Sequence, residues 1–177
     1  DGVFSGRAEF YDEDAPCDCF DVYGKTKCLG EVVDSNVLNI RCSIIGPSPY
    51  ERGGLFEWFK SQPEGSVISG YTNHVWNGIT TFQFAKLCQR IIEGNQFDCL
   101  RKESAIFHFV PNQQVSKYEL LNILKSALNK KITINPAEHI KGVVKRMLVS
   151  KYSGLKRLYG HDIPMEKAIR QLIEFAG

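Results

Sequence analysis

The stretch DVYGKTKCLGEVV at residues 21–33, followed by VLNIRCSIIG at residues 37–46, indicates a helix that leads into a strand. In the first segment four side chains recur at helical spacing, at Val22, Thr26, Leu29 and Val33. This stripe predicts a helix over residues 22–35 with Asp21 as its N-cap. Gly24 and Gly30 fall inside that helix, and glycine there is costly, so we expect another backbone or a ligand to come close.

The second segment alternates between apolar and polar side chains, as a strand does, over residues 37–45. Its predicted inner face consists of Leu38, Ile40, Cys42 and Ile44. Gly46 and Pro47 end the strand.

The rest of the chain alternates strand and helix patterns. We predict strands at residues 66–69, 105–110 and 132–134 and helices at residues 54–60, 80–93, 117–128, 153–159 and 165–175. Ser116 and Glu119 form a capping-box pattern at the start of one of these helices. Alternation of this kind predicts an α/β fold with a partly parallel sheet.

The composition is that of a globular protein without a membrane span. The 177 residues include 22 Lys plus Arg and 20 Asp plus Glu, and 43% are hydrophobic. No apolar run approaches the roughly 20 residues that a transmembrane helix needs. Residues 1–60 carry 11 acidic and 6 basic side chains, whereas residues 117–170 carry 4 acidic and 12 basic ones. These bases could bind phosphate groups or form solvated helix faces, and the scattered aromatics argue against a nucleic-acid partner.

The six cysteines favour a reduced, cytoplasmic protein over a disulfide framework. Cys42 and Cys88 lie at positions predicted to face the core, where a free cysteine behaves as a small hydrophobic side chain. Cys17 and Cys19 could supply two zinc ligands, but the sequence has no second pair of Cys or His residues at a spacing that would complete the site. We therefore expect no metal ion.

Tyr23 and Lys27 are four residues apart and so share one face of the predicted helix. An ammonium group near a phenol stabilises the phenolate, which lets a tyrosine act as a general acid or base near neutral pH. Taken alone, this spacing also occurs by chance in many helices.

Several further motifs occur in a fixed order around this pair. They are DGVFSG at residues 1–6, Tyr11, Glu13 and Pro16, YGKTK at residues 23–27, GE at residues 30–31, RCSIIG at residues 41–46, WNGITT at residues 76–81 and SKYELL at residues 116–121. Together they resemble the extended short-chain dehydrogenase/reductase superfamily, in its dTDP-4-dehydrorhamnose reductase-like branch. The resemblance is strong to about residue 90 and looser beyond.

This resemblance implies the C-terminal part of a Rossmann-like NAD(P)-binding fold with its substrate-binding region. Residues 1–48 would end the Rossmann-like domain, and residues 49–177 would form mainly the substrate-binding region, with segments that return to the sheet. The implied function is NAD(P)-dependent reduction or epimerisation of a nucleotide-linked 4-keto sugar in cell-surface polysaccharide biosynthesis. The cofactor would be NADP or NAD, and the partner would be the nucleotide sugar.

The resemblance also implies roles for individual residues. Tyr23 would donate a proton to the substrate carbonyl, and Lys27 would assist it and hold the nicotinamide ribose. Ser43 and Ile44 would bind the cofactor together with Tyr23 and Lys27. The residues implied to bind the substrate are Val3, Phe4, Arg52, Trp76 and Asn77.

Some features depart from the family pattern. No glycine-rich phosphate loop occurs in the 177 residues, so we expect a fragment that binds dinucleotide poorly and is inactive alone. The strand at residues 37–45 would then have an open edge, which we expect another chain, such as a second copy, or a rearranged segment to cover. A non-catalytic regulatory or ligand-binding protein on the same fold is the alternative.

Overall fold

The computed structural model of the chain describes residues 2–48, 53–140 and 142–176. The helices are α1 (Val22–Leu29), α2 (Gly54–Lys60), α3 (Thr81–Glu93), α4 (Phe97–Glu103), α5 (Lys117–Ala127), α6 (Gly154–Tyr159) and α7 (Met165–Ala176). The strands are β1 (Asn39–Arg41), β2 (Ile44–Ile45), β3 (Val67–Tyr71), β4 (His74–Trp76), β5 (Ile79–Thr80), β6 (Ile106–His108), β7 (Val115–Ser116), β8 (Thr133–Ala137) and β9 (Val144–Lys145).

Most strand pairs are parallel. β1 pairs with β6, β2 with β5 and β3 with β8, and in each pair the strands run in the same direction. β4 lies between β9, which is parallel to it, and β7, which is antiparallel. The predicted α/β fold with a partly parallel sheet is confirmed.

The core consists of three apolar clusters. One lies between α2, α5 and α7, a second between α3, α4, α6 and β6, and a third beneath the N-terminal segment. α5 buries Leu120, Leu121 and Leu124, as the helical pattern predicts. Its predicted capping box is present, because the Ser116 hydroxyl accepts the Glu119 N–H at 3.1 Å and the Glu119 carboxylate accepts the Ser116 N–H at 2.6 Å.

Helix α1 is shorter than predicted. It ends at Leu29 instead of residue 35, and Gly30 is its C-cap, with its N–H donating to the Thr26 carbonyl at 3.0 Å. The chain leaves the helix there because Glu31 is bound to Arg41 on β1. The predicted apolar stripe also faces outward, since Leu29 is 84% exposed and Val22 is exposed as well.

Gly24 is the residue that α1 buries. A Cβ atom at this position would lie 2.6 Å from Cys19 Cβ and would clash with the Gly2 carbonyl oxygen. The expectation that a glycine in this helix marks a close backbone approach is confirmed at Gly24. At Gly30 it was wrong, because that residue lies outside the helix.

The strand predicted over residues 37–45 is two short strands. β1 pairs with β6, and after a break at residues 42–43 the chain continues as β2, which pairs with β5. The break reverses the alternation of side chains. Ile44 was predicted to be buried but is 49% exposed, and Ile45 takes the core position with 5% exposure.

Strand β1 has one strand partner. Among the described residues only β6 hydrogen-bonds to it, so no rearranged segment of that part of the chain covers its other edge as a strand. Pairing of this edge with another chain stays a prediction. β6, which lies beyond residue 49, pairs with β1. A domain boundary after residue 48 likewise stays a prediction.

The six cysteines all lie within the described residues, and no disulfide joins any two of them. The same part of the chain contains no cluster of three or more His, Cys, Asp or Glu residues suited to a metal ion. None of the helices in these described residues combines the length and the apolar composition that a membrane span requires.

A buried polar network ties the N-terminal segment to β6 and to the segment around residue 150. Glu13, only 7% exposed, accepts the His108 backbone N–H at 2.8 Å, the Lys151 N–H at 2.9 Å and the Ser150 hydroxyl at 2.5 Å. The His108 ring lies with Nδ1 3.0 Å from the Val149 carbonyl and Nε2 3.4 Å from an Arg41 nitrogen. This pattern fits a neutral imidazole that donates from Nδ1 and accepts at Nε2.

We expect the protein to lose stability in mild acid through His108. Burial lowers the pKa of His108 from its ordinary value of 6.5, although Glu13 opposes this. The unfolded chain therefore binds the proton more readily, and the contribution to stability is present above pH 6.5 and lost below it. Urea unfolding between about pH 7.5 and 5.5 should show a slope of up to about 1.4 kcal/mol per pH unit.

The matched variants for this prediction are His108→Asn and His161→Gln, the second at an exposed histidine. His108→Asn should be less stable at neutral pH but should lack most of this acid dependence, whereas His161→Gln should keep it. Equal slopes in the two variants would contradict the assignment to His108.

Candidate functional site

Helix α1 presents Tyr23 and Lys27 on one face. The Asp21 side chain caps the helix by accepting the Gly24 N–H at 2.6 Å, which fixes where the helix begins. Lys27 Nζ lies 5.6 Å from the centroid of the Tyr23 ring, as the four-residue spacing predicts. The Tyr23 side chain is 64% exposed, so its hydroxyl is accessible to a reactant.

An open groove of about 380 Å³ lies between α1, the N-terminal segment and the open edge of β1. Five of the predicted site residues line it, namely Val3, Tyr23, Lys27, Ser43 and Ile44. The rest of its lining is Gly2, Glu31, Ile40, Arg41 and Cys42. The structure therefore brings both predicted catalytic residues and all predicted cofactor-binding residues to one groove.

An ion pair braces the wall of this groove. Arg41 donates from Nε and Nη2 to the two carboxylate oxygens of Glu31, at 2.6 and 2.7 Å. The hydrogen bond to Glu31 raises the pKa of Arg41 despite its partial burial. A bidentate pair of this kind fixes orientation as well as charge. It holds the segment that follows α1 against β1. No local pattern predicts this pair, because the two residues lie ten positions apart on different elements.

The N-terminal segment is held in place by Tyr11 and Asp18. The Tyr11 hydroxyl accepts the backbone N–H groups of Gly6 at 2.9 Å and Ala8 at 3.1 Å. Asp18 accepts the Ser5 N–H at 2.6 Å and the Ser5 hydroxyl at 2.5 Å. These contacts order the turn that places Gly2 and Val3 beside Tyr23.

The predicted substrate-binding residues are placed differently from one another. Val3 lines the groove, whereas Phe4 is fully buried and stacks on Tyr11 with ring centroids 4.3 Å apart. The Phe4 side chain therefore supports the groove from below and does not face it. Arg52 lies outside the described residues.

Trp76 and Asn77 do not line the groove. The Trp76 indole N–H donates to the Ser43 hydroxyl at 2.6 Å, and the largely buried ring lines a smaller cavity of about 100 Å³ that shares Ser43 and Ile44 with the groove. Both ends of the Asn77 amide are bound to the Leu148 backbone, at 2.7 and 3.3 Å. Asn77 lines a separate cavity of about 280 Å³ and acts as a brace in this structure.

The chain matches no family model, and a search of curated proteins returns no match. It is similar in structure to a dTDP-4-dehydrorhamnose reductase from Clostridium acetobutylicum, with a TM-score of 0.69, 17% identity and coverage of 99% of this chain and 63% of that one. The dTDP-4-dehydrorhamnose reductase from Bacillus anthracis, in complex with NADP, gives the same TM-score and coverage at 18% identity. The dTDP-glucose 4,6-dehydratase from Bacillus anthracis, in complex with NAD, gives a TM-score of 0.64 at 12% identity, with coverage of 98% and 58%.

These similarities define the fold. The chain has the same α/β fold as these dTDP-sugar reductase and dehydratase structures and spans 63% of the length of the first two.

Proposed function

We propose that the protein is an NAD(P)-dependent reductase or epimerase that acts on a nucleotide-linked 4-keto sugar in cell-surface polysaccharide biosynthesis. The observation that carries this proposal is the groove at the open edge of β1, which gathers Tyr23, Lys27, Ser43 and Ile44. The fold similarity to structures that hold NADP and NAD supports the choice of cofactor.

The residues of the groove fit a nicotinamide and a carbonyl substrate. The phenol and the ammonium are both exposed, on one helix face, beside an open edge of the sheet. Gly2 lines the groove and has no side chain, which lets a bound ligand come close to the backbone there. When bound, the nicotinamide supplies a hydride to the carbonyl carbon.

The roles of the two residues follow from their chemistry. Tyr23 donates its hydroxyl proton to the carbonyl oxygen as negative charge develops there, which is general acid catalysis. Lys27 stabilises the phenolate that remains on Tyr23, because its ammonium lies on the same face of the helix, 5.6 Å from the centroid of the Tyr23 ring. Its exposed ammonium is also placed to donate hydrogen bonds to a ribose hydroxyl in the groove.

The test is oxidation of NADPH and NADH by the protein expressed from its complete coding sequence. The substrates are a panel of nucleotide-linked 4-keto sugars. Sugar-dependent oxidation is the expected result. Cofactor binding without turnover on any sugar would instead favour a regulatory or ligand-binding protein on the same fold.

Lys27→Met should weaken both cofactor binding and turnover. It removes the ammonium but keeps the length of the side chain, so charge-assisted hydrogen bonds are lost. We expect kcat/KM for the cofactor to fall by about 10- to 100-fold. Lys25→Met is the matched control, since Lys25 is an exposed lysine of the same helix that does not line the groove. Equal losses in the two variants would contradict a specific role for Lys27.

A further inference from the structure

The Trp76 ring is fixed in the core by its packing. It is 7% exposed and belongs to the apolar cluster between α2, α5 and α7. Gly78 packs so closely against it that a Cβ atom at that position would clash with the ring. Lys117 Nζ, at the start of α5, lies 5.7 Å from the ring centroid. Because the ring is held on several sides, its indole N–H has a fixed direction.

The polarity of the hydrogen bond between Trp76 and Ser43 is fixed as well. An indole nitrogen can only donate, whereas a hydroxyl carries one proton and two acceptor sites. Ser43 Oγ, 2.6 Å from the indole nitrogen, must therefore accept. Its own proton is left for another partner, and among the described residues no acceptor lies within hydrogen-bond distance of it.

The Ser43 hydroxyl lies where two cavities meet. Ser43 lines both the groove that holds Tyr23 and Lys27 and the smaller cavity beside Trp76. Its backbone is held by the Ile79 N–H, which donates to the Ser43 carbonyl at 2.7 Å. With the backbone fixed and one acceptor site used by the indole, the hydroxyl is oriented to donate its proton to a ligand in the groove.

We propose that Trp76 is a positioning residue that acts through Ser43. The indole N–H holds the Ser43 hydroxyl so that it donates to an oxygen acceptor of the bound ligand, either the amide oxygen of the nicotinamide or a hydroxyl oxygen of the sugar. The inference rests on the proposed function for the identity of these ligands. It gives Trp76, which does not line the groove, an effect on binding without any contact with the ligand.

The test is calorimetric titration of the full protein with NADPH and, separately, with dTDP-glucose as a nucleotide-linked sugar. Trp76→Phe keeps an aromatic ring in the core but removes the N–H, so the Ser43 hydroxyl can rotate away from the ligand. The affinity for the ligand that carries the acceptor should fall by about 3- to 10-fold. Ser43→Ala should weaken the same ligand at least as much. Trp58→Phe should bind as the wild type does, since Trp58 is 40% exposed and does not line the groove.

The double variant Ser43→Ala/Trp76→Phe separates positioning from a general structural effect. Its affinity should equal that of Ser43→Ala, because the indole acts only through the hydroxyl, whereas a general effect on the structure would add to the loss. Stability should show a different pattern. Ser43→Ala alone leaves the buried indole N–H without its acceptor and should lower the urea midpoint of unfolding. The double variant lacks both groups and should recover part of this loss.

Several results would overturn the inference. They are unchanged affinity for both ligands in Trp76→Phe, an equal loss in Trp58→Phe, and additive losses in the double variant. A wild-type protein that binds neither ligand would overturn the inference and the proposed function together. Binding of both ligands without turnover of any nucleotide-linked 4-keto sugar would refute the proposed function alone.

Discussion

Tyr23→Phe should lower kcat by about 10²- to 10⁴-fold with little change in the affinity for cofactor or sugar. The substitution removes one hydroxyl from an exposed side chain, so the helix and the groove stay intact. What is lost is the proton that the carbonyl oxygen receives as hydride arrives. Steady-state kinetics with NADPH and a nucleotide-linked 4-keto sugar measure the effect, because a loss confined to kcat identifies a group that acts in the transition state.

Tyr152→Phe is the matched control for this prediction. Tyr152 also carries a hydroxyl, but its ring packs on Phe107, 5.4 Å away between centroids, and it does not line the groove. Its kcat should remain within about twofold of the wild type. A Tyr23→Phe protein that turns over at the wild-type rate would remove Tyr23 from the mechanism.

Glu13→Ala should lower the free energy of unfolding by about 2–5 kcal/mol. The carboxylate is buried and accepts two backbone N–H groups and one hydroxyl, from residues 95 to 138 positions away along the chain. Its removal leaves the buried N–H of His108 without a partner, and such a group costs about 1–3 kcal/mol. The Lys151 N–H and the Ser150 hydroxyl lose their acceptor as well. Urea unfolding followed by circular dichroism measures the loss.

Glu9→Ala is the control, since Glu9 is an exposed carboxylate of the same segment. Its stability should stay within about 0.5 kcal/mol of the wild type. A Glu13→Ala protein as stable as Glu9→Ala would show that the Glu13 network does not hold the N-terminal segment to β6.

Local patterns in the sequence correctly predicted the structural features that depend only on residues close together in the chain. Asp21 and Ser116 are N-caps as expected, and Lys27 lies over Tyr23, because capping and four-residue spacing are properties of a single helix. The same holds for Gly24, whose place in a helix signalled a close backbone approach. The parallel pairing of strands followed from their alternation with helices.

Contacts between distant segments could not be predicted in this way. The pairing of Glu31 with Arg41 ends α1 early, and the change of partner from β6 to β5 splits the strand and turns Ile45 inward in place of Ile44. Short strands such as β4 and β7 carry too few residues to show a period. The sequence predicts Asn77 as a substrate-binding residue, yet its side-chain amide donates to the Leu148 carbonyl and accepts the Leu148 N–H.

The most direct test of the proposed reduction follows the hydride itself. The protein from its complete coding sequence is mixed with a nucleotide-linked 4-keto sugar and NADPH that is deuterated at the hydride-donating carbon, and the product is analysed by mass spectrometry and NMR. The account predicts one deuterium at the former carbonyl carbon, with a rate that collapses in Tyr23→Phe. A sugar recovered unreduced from wild-type protein that binds the cofactor would contradict it.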